Sequence, residues 1–407
     1  MGTGGMTGVP TSDAIEEGWR EYHAYIEDTR RRLLARPEMH DPAMRSMAQY
    51  AIASLIAGGF QFYLAPRQDC PVFYRDAIWT PLVPWGGPAS DMTYRWCFLD
   101  GRYEYRITGR KGTVLFTDFH LFDGYLGAEA MRDLSNYDLD GFTTQPDGSF
   151  EIIASATEHP GNWIRLDPDV SNIAIQMRET WWDWANETGC TIHVERIDDG
   201  PCMMLFDEAE FLKRLHLAGR LVEQMILRSL GYGKMVRRMA GGENLFSIIV
   251  GADSDARDYG ASPRAGYASA CWNLADDEAL LIECAVPEAR YWSIQLMSPF
   301  WDTLDFSRHQ SGLNGHQARI DGDGRIRFVL SAADPGVANW LDPIGLPQGQ
   351  CMFRWYDGPE IALPAAQVVK RADLDRHLPA DTPRVDASDR AHAIRARSRA
   401  SLRRWGF

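Results

Sequence analysis

The stretch DFSRHQSGLNGHQARIDGDGRIR, Asp305 to Arg327, places two histidines, two glutamines and an asparagine between apolar segments. A histidine that titrates near neutral pH can move a proton, and a carboxylate beside it can fix its tautomer. His309 is therefore the candidate proton-transfer residue, with Asp305 or Asp334 to orient it. Arg308 and Arg354 are candidates to hold a carboxylate or a developing oxyanion. Gln310, Asn314 and Gln317 could bond substrate hydroxyls, and His316, Asn339 and Trp340 complete the substrate-binding set. The same polarity also suits a surface crossover whose side chains bond their own backbone. A metal site would need His309 and His316, seven apart, to find a third ligand such as His120, Asp305 or Asp334. Asp321 and Asp323 lie in IDGDGRI, where Gly322 and Gly324 between β-prone runs indicate a hairpin turn rather than a calcium loop.

These residues need a scaffold, and the 407 residues suit two domains. Residues 1–11 read as a disordered start, with no basic region or apolar core of a signal peptide. Helical spacing of Trp19, Tyr22, Ile26 and Leu33 predicts N-terminal helices over 12–65, with Pro37 ending the first and Gly58-Gly59 the second. A first β-domain is expected over 85–200, with a hairpin at Asp100-Gly101. A helical connector follows over 205–245, with Asp207 and Glu210 as a capping pair and Gly231 as the end. The second β-domain covers 270–358, and further helices 365–407.

The two β-regions repeat one another. PDGSFEIIASATEHPGNWIRLDPDVSNIAIQMRETW, from Pro146, parallels GDGRIRFVLSAADPGVANWLDPIGLPQGQCMFRWY, from Gly322. Asp147-Gly148 matches Asp323-Gly324, Asn162-Trp163 matches Asn339-Trp340, and Arg178 matches Arg354. Upstream, RYEYRITG at Arg102 mirrors RYWSIQLM at Arg290. A period near 176 residues is too long for a solenoid unit, so it marks two related antiparallel sandwiches. In each, Asn could fix a loop through backbone bonds while Trp covers the open end of the sandwich. A pseudo-twofold relation would let His120 approach His309.

At RYWSIQLMSPFWDTLDFSRHQSGLNGHQA and DPGVANWLDPIGLPQGQCMFRWY the chain resembles the family known as domain of unknown function 1214, over residues 277–358. The first half, with YRITG and QMRETWWDW, is similar to the related domain of unknown function 1254 over 91–196. The resemblance implies a jelly-roll-like β-sandwich and names no activity. Pro343 stands where the family pattern leads one to expect a small polar residue.

Composition removes several classes. A net charge of −14 argues against a general nucleic-acid binder, and no apolar run is long and charge-free enough for a membrane span. Seven dispersed cysteines without a C-x-x-C pair fit free thiols in a reducing cytoplasm. There is no G-x-S-x-G elbow, P-loop or dinucleotide fingerprint. The tail DRAHAIRARSRASLRRWGF carries six arginines from Arg390 to Arg404 and reads as a solvated helix face or a strap across a partner subunit. In ETWWDWANE the tryptophans read as core, with Asp183 and Glu187 at its rim.

The expectation is thus a mainly β protein of two related jelly-roll-like sandwiches with added helices. It would be a cytoplasmic enzyme, without cofactor or metal, doing lyase, isomerase or hydrolase chemistry on an apolar oxygenated small molecule such as an aromatic, terpenoid or steroid-like compound. Two alternatives stay open: a non-enzymatic binder of a small molecule or carbohydrate, and a histidine-ligated metal enzyme. Neither nucleic acid nor membrane is an expected partner, and the terminal helices leave room for a homo-oligomer.

Overall fold

The computed structural model describes residues 12–75, 79–81, 83–124, 132–198, 200, 207–250 and 262–406. The expected disordered start, 1–11, lies outside them.

Residues from Met92 to Arg196 form eight strands in two sheets. These are β1 (Met92–Leu99), β2 (Tyr105–Arg110), β3 (Phe116–Asp123), β4 (Arg132–Asp138), β5 (Ser149–Ser155), β6 (Trp163–Arg165), β7 (Ile173–Thr180) and β8 (Thr191–Arg196). Their orders are β1-β7-β3-β4 and β6-β5-β2-β8. After β9 (Phe246–Val250), the chain repeats the plan with β10 (Ala265–Asn273), β11 (Glu278–Ala285), β12 (Tyr291–Met297), β13 (Gly312–Asn314), β14 (Arg325–Ser331), β15 (Trp340–Leu341), β16 (Gln348–Tyr356) and β17 (Ala365–Lys370). The orders are now β13-β12-β16-β10-β9 and β15-β14-β11-β17. Strand for strand the two topologies coincide, with β9 as an added edge.

The duplication extends to single bonds. Asn162 Nδ2 donates to Thr143 O and Glu151 O, and its Oδ1 accepts from Thr143 N. Asn339 does the same with Arg319 O, Arg327 O and Arg319 N. Trp163 Nε1 donates to Ser155 O, and Trp340 Nε1 to Ser331 O. Gly148 and Gly324 follow their aspartates at φ 83° and 79°, a conformation that favours glycine. One sequence alignment does not survive. RYEYRITG forms β2, in an outer sheet, whereas RYWSIQLM forms β12, whose counterpart is β3.

Between the sandwiches lies a third core. Alternation along β1, β7, β10 and β16 sends Cys97, Ile175, Ala270 and Phe353 into their own sandwiches. The opposite faces, with Trp96, Phe98, Phe116, Tyr291, Met352 and Tyr356, pack with the helices in a shared cluster. The helices are α1 (Ser12–Leu34), α2 (Pro42–Gly59) and α3 (Glu208–Ala240). Asp207 caps α3 through Glu210 N, but the helix runs past Gly231 to Gly241, which takes the left-handed conformation at its end. Gly231 has no steric reason to stop it: a Cβ there would meet nothing within 4 Å. The α-helix α2 does end at Gly59, giving way to a π-helical turn over Phe60–Leu64, and Gly59 lets α2 approach α3, where a Cβ would lie 2.8 Å from Ala218 O.

The tail departs from expectation in part. Residues 365–370 are the edge strand β17, and helix α4 (Ala387–Trp405) follows. Arg390, Arg397 and Arg404 recur every seven residues on one face, and that face turns inward onto this same chain. Arg390 pairs with Asp334, Arg397 donates to Phe306 O and Gly312 O, and Arg404 donates to Ser90 O. The Arg404 guanidinium lies 3.7 Å from the Trp184 ring centroid. The strap crosses the chain's own two sandwiches.

Cys97, Cys190, Cys271, Cys284 and Cys351 are free and buried, but Cys70 is disulfide-bonded, against the expectation of free thiols throughout. No described helix is long and apolar enough to cross a membrane.

Two outcomes follow from this architecture. Asn339 is buried and Asn162 only half-buried, so Asn339→Ala should cost about 2–3 kcal/mol in denaturant unfolding and Asn162→Ala about 1 kcal/mol. Equal losses would show that the bonds, not their burial, set the cost. Thiol titration of unfolded protein without reductant should count fewer than the seven cysteines present.

Candidate functional site

The loop from Asp305 to Gln317 consumes its own polarity. Asp305 Oδ1 accepts from Ser307 N, Ser307 Oγ and Arg308 N, forming a turn rather than orienting His309. Arg308 is exposed, its side chain 66% accessible. His309 Nδ1 instead meets Asp342 Oδ2 at 2.8 Å, on a side chain 39% accessible. Asp334, the other expected orienting carboxylate, is taken by Arg390. Gln310 Nε2 donates to Ala338 O and Trp340 O, and its Oε1 accepts from Arg390. Gln317 Oε1 accepts from Asn314 N and Arg397. His316 is half exposed, 3.9 Å from Asp183. Asn339 and Trp340 spend their polar groups on the loop bonds described above. Asp305 bonds within the loop, whereas His309, Gln310 and Gln317 find partners far along the chain at Asp342, Ala338, Arg390 and Arg397.

Asn314 has a different task. Its Nδ2 donates to Asp91 Oδ1 and to the carbonyls of Trp181 and Trp182, tying the second sandwich to the first. Asp91, fully buried, also accepts from Trp184 Nε1 and Tyr291 Oη, each at 2.8 Å. This joint is structural.

Arg354, like Asn314 in the same cross-strand row, reaches the layer between the inner sheets. Register gives its setting. Arg178 on β7 stands opposite Tyr94 on β1 and Asp118 on β3. Arg354 on β16 stands opposite Tyr267 on β10 and Ser293 on β12. The duplicated halves thus place one arginine each at equivalent positions, flanked by equivalent tyrosines. They differ at the third position: Asp118 in the first half is Ser293 in the second.

That exchange changes the electrostatics. Arg178 Nη1 donates to Asp118 Oδ2 at 3.1 Å, a buried ion pair. Arg354 is only 4% accessible and forms no ion pair among the described residues. Its Nη2 donates to Gly87 O and contacts Met352 Sδ, both at 3.0 Å, and its buried Nε has no partner. A guanidinium held from water without an anion is costly.

Tyrosines surround it. The Arg354 guanidinium lies 5.8 Å from the Tyr267 ring centroid. Burial pushes the Tyr94, Tyr291 and Tyr356 hydroxyls above the ordinary phenol range, so they remain neutral donors rather than bases. The hydroxyls of Tyr267 and Tyr356 have no hydrogen-bond partner among the described residues, and Tyr267 keeps solvent contact. Gly87 sits in the segment PWGGPAS, at φ 64°, where a Cβ would lie 2.7 Å from Trp301 Nε1. Only glycine brings that carbonyl to Arg354 so closely. Sequence reasoning passed over this segment, although its Gly-Gly-Pro run marked a special backbone.

His120 does not approach His309. It lies on β3, fully buried, at the position Gln295 holds in the second half. Its Nδ1 accepts from Arg178 and its Nε2 donates to Asp133, while burial, the main cause, pushes its pKa down. Both nitrogens are used, so this neutral imidazole has none left for a metal. Among the described residues no three His, Cys, Asp or Glu side chains form a metal-holding group.

Comparison with known proteins follows the same outline. The fold defines a duplicated double β-sandwich, and residues 276–360 match the family described as Protein of unknown function (DUF1214). The crystal structure of an uncharacterised protein from Burkholderia cenocepacia is similar over 88% of this chain and 97% of its own, with a TM-score of 0.80 and 28% identity. A Vibrio parahaemolyticus protein covers 79% of this chain and 98% of its own, at 12% identity and a TM-score of 0.45. No curated protein matches.

Beside this layer, Asp302 carries a pH-sensitive carboxyl. Burial pushes its pKa up to about 7, against a small opposing effect of the Ser298 hydroxyl. Unfolded, the group releases its proton near 3.8, so folding takes up a proton between these values and stability falls as pH rises through them. Asp302→Asn should match the parent near pH 4 and exceed it at pH 8 by about 1–2 kcal/mol, since Asp302 retains some solvent contact. Thermal unfolding across that range is the check; a constant difference would contradict the assignment.

Proposed function

We propose that this protein binds a small organic anion between its inner sheets, with Arg354 as the anchor. The reading rests on one observation: a buried guanidinium lacks the carboxylate that its duplicated twin possesses. The tyrosine hydroxyls add neutral donors, and Phe116, Trp96 and Met352 supply apolar surroundings. A carboxylate on an aromatic or otherwise apolar skeleton fits both features. This is the binding-protein reading of the sequence, with the ligand between the sandwiches. Proton-transfer chemistry at His309 has less support, because its Asp342 pair is solvent-accessible and stands apart from the buried layer. The disulfide at Cys70 favours an oxidising compartment over the cytoplasm.

Calorimetry with phenylacetate and its methyl ester tests the anchor. The acid should bind and the ester should not. Arg354→Met should weaken the acid by at least about thirtyfold, the scale of a lost charge-assisted bond. His309→Ala should change it less than about twofold. Equal binding of acid and ester, or an unaffected Arg354→Met variant, would refute the anchor.

A further inference from the structure

The wall facing Arg354 carries orphaned oxygen atoms. On the inner sheet of the first sandwich, Asn136, His120 and Gln176 lie in one row across β4, β3 and β7, with Asp118 two residues from His120. Asp118 Oδ2 is occupied by Arg178 and Asn136, but Asp118 Oδ1 is buried without a donor. Gln176 Oε1 and Asn136 Oδ1 are buried without donors too. Asp118 and Gln176 are 0% and 2% accessible. Buried acceptors left unpaired are rare and costly.

The two walls are complementary. On the second sandwich Arg354 Nε is a buried donor without a partner, although Gln350 Oε1 on the same strand is an unpaired acceptor; on the first, the unpaired atoms named above are acceptors. Tyr94 on the first wall and Tyr267 and Tyr356 on the second interact electrostatically with both arginines. One molecule lying across this layer would meet donors at one end and acceptors at the other.

We infer that the ligand is bipolar: an anionic group at Arg354 and, at its other end, a hydroxyl or amino group donating to Asp118 and Gln176. A hydroxy or amino carboxylic acid with an apolar middle is the chemical class. The inference rests on the anion reading above and adds the second pole. His120, its nitrogens already used, serves as a positioning residue that holds Arg178 and so orients Asp118.

Calorimetry with phenylacetate, phenylpropionate and the para-hydroxy and para-amino derivatives of each separates the two poles. At least one hydroxy or amino acid should bind tenfold or more tightly than its unsubstituted partner. Gln176→Leu should erase that preference, and Asp118→Asn is the second variant should the first not fold. Binding of the unsubstituted acids with no gain from the added donor would overturn the bipolar ligand and leave the anion anchor standing. A preference intact in both variants would overturn the assigned acceptors. Binding of none of these acids would overturn the anchor and the second pole together.

Discussion

A strand shows alternate residues to opposite faces, and in this protein the central strands of each inner sheet are covered on both. One face closes its own sandwich, and the other faces the second copy across a shared core. Every polar side chain on that second face must therefore find a partner inside the protein or in a ligand. Asp91 finds Trp184, Asn314 and Tyr291, and Gln295 finds Pro88 O and Thr303. Arg354 finds no anion among the described residues. The rest of the functional argument depends on that imbalance.

Duplication explains how such an imbalance can arise without loss of the fold. Two copies share topology, Asp-Gly turns and Asn-Trp loops, so each supplies a stable frame. One substitution-sized difference, Asp118 against Ser293, separates a buried ion pair in the first copy from a guanidinium without an ion pair among the described residues in the second. The hydroxyl of Ser293 is taken up locally, donating to Tyr291 Oη at 2.8 Å while the Tyr291 proton goes to Asp91. The first copy keeps Arg178 neutralised and holds His120 beside it, while the second leaves the guanidinium for another occupant.

The terminal helix has its own part in this frame. Its arginines bind carbonyls on both sandwiches and stack on Trp184, so α4 holds the two copies in one relative placement. Burial works against the charge on Arg397 and Arg404, pushing both pKa values down. Their stacking and carbonyl bonds offset that cost. Arginines at seven-residue spacing looked like a solvated stripe because the apolar surface they cover belongs to residues hundreds of positions away.

Much of the architecture was legible in the residue order. Period-two runs, the Asp-Gly turns at 147 and 323, the Asn-Trp pairs and the match of Arg178 with Arg354 are local patterns, and their shared order is enough to recognise two related sandwiches. The polar loop from Asp305 to Gln317 was legible as polar, but not as satisfied: its partners Ala338, Asp342, Arg390 and Arg397 are distant in sequence. The mirror drawn between β2 and β12 failed because both begin with an arginine and a tyrosine, while sheet membership is set by pairing rather than by composition. Only the tertiary structure decided which face of each strand would be covered twice, and therefore which arginine would lack a counter-ion. Charge compensation depends on distance through space, and register across paired strands, not spacing along the chain, fixes that distance.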